Sequence, residues 1–374
     1  MKKFTSLMIA TALVFSGSAM AKSIEPVFYL PFADDDDYET LSDWSLTCNN
    51  INTCYADGYQ EGDWGDENNR LVSILLKRQA GQKELTGLAV FDFADNEGDK
   101  MKGINRLDMS VNGRAVGKVA RQGDRFALSS AQINAMTDSV AKTGKAVIEF
   151  RHGKDVWRVS DAGLKEVLLK MDEQQGMTNT PYAMIKKGKG KPSTTTYQMP
   201  IVRPQSVLTA EPTYIDRGSA EGKKLIAVLK PAVAKTDETC DILDDESVEW
   251  LSDEQKQFSV TPLTGDRKLV TGNCFTGAYN MGDGAWVMDN SLSHVYQYVN
   301  YILNQEGNKL LFMMKGRGVG DCWTGAEWLW TGKEFTQTYR YDAGQCKGFG
   351  GGAWLIPSYV SEVVGEGKRE FEFD

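Results

Sequence analysis

The chain contains six cysteines, and along the sequence they fall into three neighbouring pairs. We expect disulfides that join neighbours, namely Cys48 to Cys54, Cys240 to Cys274 and Cys322 to Cys346. The sequence alone does not choose among the possible pairings. Each of the two longer loops would stabilise the fold by ~3–4 kcal/mol, and the short first loop by nearer ~2 kcal/mol, because a cross-link restricts the unfolded chain. A zinc site is the rival interpretation, but there is no C-x-x-C spacing and there are only two histidines, so we expect no metal.

The first residues have the pattern of a cleavable export signal. Lys2 and Lys3 form a positive start, residues 7–15 form a short apolar run, and Ala19 and Ala21 form a small-x-small cleavage site. A run this short cannot span the ~30 Å apolar core of a bilayer. We therefore expect cleavage after Ala21 and a mature protein in the periplasm or outside the cell, where oxidising conditions maintain disulfides.

Charge and hydropathy exclude two classes of partner. The chain has 42 Lys and Arg residues against 51 Asp and Glu residues, a net charge of −9, which argues against sequence-independent nucleic-acid binding. No later stretch is long and apolar enough for a membrane span. The acidic run at residues 34–37 is expected to be solvated, although a calcium site there stays open. We expect no cofactor.

The pattern predicts a mainly β protein with a few short helices, an α+β fold. In order, we divide the chain into a signal peptide (1–21), an acidic lead-in segment (22–43), an N-terminal β-rich domain (44–185), a linker (186–210), a C-terminal β domain (211–363) and a charged tail (364–374). The N-terminal domain is expected to be β-sandwich-like and to carry two helices. The C-terminal domain is expected to be antiparallel and stapled by disulfides.

Serines mark the predicted helix starts. The first helix is expected to begin at Ser129 or Ser130, the second at Ser160, and a third at Ser219, with Pro231 following it. Alternating apolar runs bounded by turn residues predict the strands. The strand candidates are residues 71–77, 88–93, 107–111, 147–151, 156–159, 267–275, 285–288, 295–303, 310–315, 327–330 and 335–341.

Seven segments together resemble a known family. They are DWSLTCNNINTCYADGY (43–59), LVSILLKRQAG (71–81), FALSS (126–130), GLKEVLLKMDEQQ (163–175), NCFTGAYN (273–280), KGRGVGDC (315–322) and GQCKG (344–348). The chain resembles the domain-of-unknown-function 1176 family, which implies an exported six-cysteine protein. Trp323 departs from the glycine expected after GDC, which puts a tight turn there in doubt. The N-terminal half is also similar to the invasion-associated locus B family, which implies a β-sandwich. Neither resemblance implies an activity.

Little in the sequence predicts an enzyme. His152 lies in a predicted hairpin turn and His294 at a strand entrance, and both are expected to be ordinary surface residues. No G-x-S-x-G or H-E-x-x-H motif occurs. The alternative is a carboxylate pair of the glycosidase type, for which Asp321 and Glu327 are the candidates.

The most distinctive local stretch is a glycine-rich segment, residues 315–322 (KGRGVGDC). Its glycines either let the backbone approach a ligand, with Arg317 and Asp321 beside it, or form a disulfide-pinned turn. Aromatic residues crowd the last third of the chain, and Trp328 and Trp330 share one strand face, which is either core or an exposed platform. The ligand-binding candidates are Arg317, Asp321, Tyr279, Asn280, Trp328 and Trp330.

These observations favour a non-enzymatic protein that binds or interacts with a cell-envelope component, which would be a glycan, a peptide or another protein. The alternatives are a carboxylate-dependent envelope hydrolase that uses Asp321 and Glu327, and an inhibitor or a structural envelope protein.

Overall fold

A computed structural model describes residues 24, 26–29, 42–62, 70–93, 101–208, 210–236 and 238–368. Three expectations fall wholly or partly outside the described residues. They are the signal peptide with its cleavage site after Ala21, the acidic run at 34–37, and the charged tail from residue 369 onward.

One antiparallel sheet of ten strands forms the N-terminal half. Its strands are β1 (Val27–Tyr29), β2 (Trp44–Cys48), β3 (Cys54–Tyr59), β4 (Arg70–Arg78), β5 (Thr86–Phe93), β6 (Arg106–Val111), β7 (Arg114–Gln122), β8 (Arg125–Leu128), β9 (Ile148–His152) and β10 (Asp155–Val159). Across the sheet they lie in the order β1-β2-β3-β4-β5-β8-β7-β6-β9-β10. Most neighbours in space are also close in sequence, as in hairpins.

Two helices cover one face of this sheet. In α1 (Ser130–Thr143), Ser129 forms a capping box with Gln132 and the helix ends at the left-handed Gly144. In α2 (Leu164–Gln174) the cap is Gly163. The predicted start of this helix at Ser160 is wrong, because the Ser160 hydroxyl accepts a hydrogen bond from the Ala162 N–H in the turn that precedes the helix. The apolar faces of both helices join the largest buried cluster of the protein.

Three further sheets and one helix form the C-terminal half. The five-stranded sheet D contains β12 (Thr213–Asp216), β13 (Gln257–Pro262), β14 (Arg267–Thr276), β15 (Met281–Asp289) and β16 (Val295–Ile302). The five-stranded sheet E contains β17 (Asn304–Glu306), β18 (Lys309–Lys315), β19 (Trp323–Trp330), β20 (Phe335–Asp342) and β21 (Ile356–Tyr359). The small sheet C contains β11 (Ile201–Val202), β22 (Glu362–Val363) and β23 (Gly367–Lys368).

Sheets D and E pack against each other through a shared core. Leu269, Val287 and Ile302 of sheet D are buried together with Leu310 and Trp330 of sheet E. The opposite face of sheet D packs against α3 (Ala220–Val233). This helix is capped by Ser219 as expected, but it continues past Pro231, which lies inside the last turn instead of following the helix.

All three disulfides form between sequence neighbours, as the sequence predicts. Cys48–Cys54 closes the turn between β2 and β3, Cys240–Cys274 holds the segment after α3 against sheet D, and Cys322–Cys346 joins the start of β19 to the chain beyond β20. The mainly β fold with antiparallel sheets is confirmed. Among the described residues, no helix is long and apolar enough to cross a membrane.

The segment predicted as a linker contacts both halves. Within residues 186–210, the Gly188 N–H donates to the carbonyl of Thr180 and the Gln205 N–H donates to the carbonyl of Trp330. β11, in the same segment, pairs in parallel with β22. The boundaries drawn from the sequence at 44–185, 186–210 and 211–363 stay a prediction.

The chain returns to the N-terminal sheet after β20. This return segment, residues 343–363, lies on the face of β2, β3 and β4 that α1 and α2 leave uncovered, and Trp354 is buried there among side chains that include Tyr59 and Leu75. The Trp354 indole N–H donates to the hydroxyl of Ser73, 2.7 Å away. The Lys347 ammonium donates to Asp43 across 2.7 Å, and both residues are buried.

A buried carboxylate lies under the return segment. Asp57 on β3 accepts a hydrogen bond from the Ser45 hydroxyl across 2.6 Å through one oxygen. Its other oxygen lies next to the Tyr59 hydroxyl, and neither atom has a further partner among the described residues. A Cβ at Gly344 would lie 2.2 Å from the Tyr59 hydroxyl and 2.6 Å from Asp57, so only glycine fits there. Burial, reinforced by the charge of Asp342, raises the pKa of Asp57 to about 6 against the hydrogen bond from Ser45.

Replacing Asp57 with asparagine is expected to stabilise the protein at neutral pH. The folded-state pKa of about 6 lies above the ordinary value of 3.8. The protonated carboxyl group therefore contributes its full share to the free energy of unfolding below pH ~3.8, and this share is lost as the pH rises through ~6. The charged form therefore costs the fold up to about 3 kcal/mol at pH 7. Urea unfolding at pH 5 and pH 7.5 measures the free energy of unfolding on either side of this pKa.

The wild type should gain stability on acidification from pH 7.5 to 5, and Asp57→Asn should lose the part of that gain that comes from Asp57. The part that comes from Asp283, whose pKa burial also raises to about 6, should remain. Asp108→Asn, on the exposed surface of β6, is the matched control and should keep the wild-type pH dependence. Equal pH dependence in the wild type and Asp57→Asn would show that Asp57 is ionised without cost.

Candidate functional site

The glycine-rich segment forms the connection between β18 and β19. Its two ends are held together by the Gly316 N–H, which donates to the carbonyl of Cys322, and the disulfide Cys322–Cys346 fixes its second end to the chain beyond β20. A Cβ at Gly316 would lie 2.6 Å from the Cys322 sulfur, and one at Gly318 would lie 3.3 Å from the Tyr279 ring. The glycines therefore leave room for the disulfide and for a tyrosine ring, which is the pinned-turn interpretation.

Arg317 and Asp321 form a bidentate ion pair inside this connection. The two nitrogen–oxygen distances are 2.8 and 2.6 Å, and the guanidinium also donates to the carbonyl of Cys346. The Asp321 side chain is only 3% exposed and accepts a hydrogen bond from the Gly348 N–H as well. Burial alone would raise the pKa of Asp321, but the hydrogen bonds from Arg317 and Gly348 outweigh it and hold this pKa below its ordinary value. The pair ties the connection to the return segment.

Tyr279 and Asn280, two further candidates from the sequence, lie beside the same connection. The Asn280 side-chain amide donates to the carbonyl of Lys315 across 2.8 Å and accepts from the N–H of Lys315 across 2.9 Å. It thereby clamps the β14–β15 turn to the end of β18. The Tyr279 ring lies on Gly318 and stays 48% exposed. Four of the six predicted residues are thus brought together.

The remaining two predicted residues lie elsewhere, in the core between sheets D and E. Trp330 is fully buried, its indole N–H donates to the hydroxyl of Thr264, and its ring lies 5.2 Å from that of Phe335. Trp328 packs against the same cluster. Their shared face is therefore the core face, and they form no exposed platform.

The opposite face of sheet E, which we call the outer face, carries aromatic residues that sequence reasoning did not select. The strand register aligns its side chains in three cross-strand rows. The rows are Leu311–Glu327–Tyr339, Met313–Gly325–Tyr341 and Lys315–Trp323. Gly325 at the centre has no side chain of its own to cover the sheet.

The rings of the outer face lie along the sheet. A Cβ at Gly325 would lie 2.4 Å from the Tyr341 ring, so this ring crosses the position that a side chain would occupy. The Lys315 ammonium lies 5.2 Å from the centre of the Trp323 ring, a cation–π contact. Burial raises the pKa of Tyr341, and burial together with Tyr341 raises the pKa of Tyr339 to about 12. Both hydroxyls therefore stay protonated and can donate hydrogen bonds.

Glu327, the second candidate carboxylate of a hydrolase, lies at the edge of this face. It forms an ion pair of 2.9 Å with Lys309 and accepts a hydrogen bond of 2.9 Å from the Thr338 hydroxyl. Asp321 shares neither partner, because it is held by Arg317 and Gly348. Each carboxylate is thus part of a separate hydrogen-bonded pair or cluster.

Among the described residues, Asp321, Cys322 and Cys346 bring three possible metal-ligand atoms within 4.8 Å of one another. Both sulfurs belong to one disulfide, so no thiolate is available to bind zinc there. His152 is exposed at the end of β9, and His294 packs edge-on against Tyr296 with the ring centres 4.7 Å apart.

Sequence reasoning missed the outer face because it placed the start of the strand at residue 327, whereas β19 begins at Trp323. With the longer strand, the alternation of side chains assigns Trp323, Gly325 and Glu327 to one face. One signal in the sequence could have indicated the earlier start of the strand. Trp323 stands where the resembled family is expected to have a glycine, and tryptophan favours a strand over a tight turn.

The chain belongs to the family described as protein of unknown function (DUF1176), whose model matches residues 38–361. It is similar to the uncharacterized protein YpfG of Escherichia coli strain K12, with 26% identity over 339 residues that cover 81% of this chain and 86% of that protein. No solved structure is significantly similar. The match confirms the resemblance to the domain-of-unknown-function 1176 family, and the similarity of the N-terminal half to the invasion-associated locus B family stays a prediction.

Asp321→Asn is expected to lower the free energy of unfolding by about 2–4 kcal/mol, because it leaves the Arg317 guanidinium partly buried without its charge partner. Arg317→Met should cost a similar amount. The double variant should cost clearly less than the sum, since neither charge is then left alone. Chemical unfolding of all four proteins measures the coupling free energy, and additive losses would mean that the pair contributes nothing as a pair.

Proposed function

We propose that this protein binds a glycan of the cell envelope without catalysing a reaction, and that it does so through the outer face of sheet E. One observation carries the proposal. Three aromatic side chains, Trp323, Tyr339 and Tyr341, lie on one face of neighbouring strands around a central glycine.

Sugar rings match this arrangement because they have apolar C–H faces and polar edges. A ring that lies along a sheet offers its face for stacking, and its neighbours can reach the hydroxyl groups of the sugar. On the outer face, the protonated hydroxyls of Tyr339 and Tyr341 can donate hydrogen bonds. Lys315 and Glu327 add charged donors and acceptors at the edges of the face. Met313, which is 39% exposed at the centre, adapts its shape to a ligand.

The state of the carboxylates supports binding without catalysis. A glycosidase needs one carboxyl group that carries a proton and a second that attacks or activates water. Asp321 is held ionised by its ion pair with Arg317, with its pKa below the ordinary value. Glu327 is bonded to Lys309 and Thr338. These partners favour a structural role for both carboxylates.

Location in the envelope is supported by the chemistry of the cysteines. All six form disulfides, which persist in the periplasm and outside the cell and are rare in the cytosol. The short apolar run at residues 7–15 and the small residues at Ala19 and Ala21 fit export.

Trp323→Ala is expected to weaken glycan binding at least tenfold, because it removes the largest ring of the outer face. Isothermal titration calorimetry with soluble glycan strands freed from peptidoglycan measures this loss. Met313→Asp should also weaken binding, and because residue 313 is exposed this variant is expected to fold as the wild type does.

Tyr214→Ala is the matched control, since Tyr214 is an aromatic residue that is 64% exposed on β12, outside sheet E. It should bind glycan strands as the wild type does. The proposal fails if the wild type does not bind the strands at millimolar concentration, or if Trp323→Ala and Tyr214→Ala bind them equally.

A further inference from the structure

A cleft of about 860 Å³ lies between the two halves, and no residue of the outer face lines it. Its volume falls in the range of roughly 300–1,000 Å³ that is usual for ligand sites. One wall is the turn between β2 and β3, and a second is the end of β4 with the turn that follows it. Val360 and Glu362 of the C-terminal half contribute a third. The cleft therefore exists only where the two halves meet.

The fourth wall is an extended piece of chain, residues 192–199, which we call the strap. From residue 194 to residue 199 the strap forms no backbone–backbone hydrogen bond with any described part of the chain. It leads directly into β11, which is an edge strand of sheet C. A strand edge with unpaired N–H and C=O groups is a template for another extended chain.

The strap is held in place at both ends, so the cleft is formed before any ligand arrives. The Ser193 N–H donates to the carbonyl of Gly176, and the Asn52 side chain donates to the Tyr197 hydroxyl across 3.2 Å. The Glu362 N–H donates to the carbonyl of Pro200. A preformed site loses less conformational entropy on binding.

The lining suits peptide groups better than sugars or ions. Hydroxyl and amide side chains such as Thr53, Gln79 and Gln198 dominate it, and these groups both donate and accept hydrogen bonds. Its charged side chains are one glutamate and two lysines. The cleft therefore has no cluster of carboxylates for a metal ion and only one positive charge in excess for a phosphate. Of the two tyrosines in the lining, Tyr55 is only 3% exposed, and Tyr197 is partly buried with its hydroxyl bonded to Asn52. The cleft therefore has no pair of open rings between which a sugar could stack.

We propose that the cleft binds an extended, uncharged peptide segment, which pairs with the main chain of residues 194–199 as an added strand. In this recognition mode the main-chain hydrogen bonds supply affinity, and alternate side chains of the peptide point toward the cleft floor. The proposal concerns a second site, and it holds or fails independently of glycan binding by the outer face.

The test uses the oxidised full-length protein and a displayed library of random heptapeptides. Peptides enriched on the wild type are synthesised, and their affinity is measured by fluorescence anisotropy. Gln79→Trp and Thr196→Trp place a bulky side chain at exposed positions of the cleft lining and should weaken binding at least tenfold. Gln82→Trp is the matched control, because Gln82 is exposed in the turn that follows β4 but does not line the cleft, and it should leave the affinity unchanged.

N-methylation of the peptide amides, one at a time, then separates main-chain pairing from side-chain recognition. In an added strand only every second N–H points to the neighbouring strand, so alternate N-methyl groups should weaken binding at least tenfold and the others much less. The proposal is overturned if no peptide is enriched, if Gln79→Trp and Gln82→Trp bind the peptides equally, or if the N-methyl effects do not alternate. Displacement of the peptides by glycan strands would also overturn it, since the cleft would then be a sugar site.

Discussion

The structure depends on the return of the chain to the N-terminal sheet after β20. Without residues 343–363, the apolar face that includes Tyr59, Leu71 and Leu75 would be open to water, and an exposed apolar face of this kind promotes association. Trp354 fills this face and finds a partner for its indole N–H in Ser73. Burial of Lys347 beside Asp43 is tolerated because each charge has the other within 2.7 Å. The fit has a cost, since Asp57 is buried under Gly344 and its pKa is raised to about 6.

Both proposed sites follow from this return. The cleft is bounded by the N-terminal sheet on one side and by Val360 and Glu362 on another, so it would not exist if the two halves were joined only by a flexible linker. The outer face of sheet E is held by the contacts that begin the return, because the disulfide Cys322–Cys346 and the pair Arg317–Asp321 join the start of β19 to the segment after β20. Arg317, Asp321 and Asn280, which the sequence suggested as ligand-binding residues, therefore hold the strands of sheet E in place. The proposed ligands bind beside them.

Local signals in the sequence predicted local structure well. The prediction that neighbouring cysteines pair is correct because each disulfide closes a local loop, with sequence separations of 6, 34 and 24 residues. The Ser129 and Ser219 caps and the hairpin of β9 and β10 were also readable, since each depends on a few adjacent residues. The start of α2 could not be predicted in this way, because its cap residue, Gly163, has no side chain that could form a capping hydrogen bond. Which side of β19 faces the core depends on where β19 starts and on packing against sheet D, so the alternation of residues alone could not decide it. The return to β3, across almost 300 residues of sequence, leaves no local pattern at all.

The central claim is that the return segment makes the two halves one cooperative unit. Differential scanning calorimetry of the oxidised wild type and of Trp354→Ala tests it most directly, because Trp354 contacts the N-terminal sheet from the C-terminal half. The account predicts one transition whose calorimetric and van't Hoff enthalpies agree, and a shift of that whole transition to lower temperature in the variant. Two transitions in the wild type, of which the substitution moves only one, would contradict it.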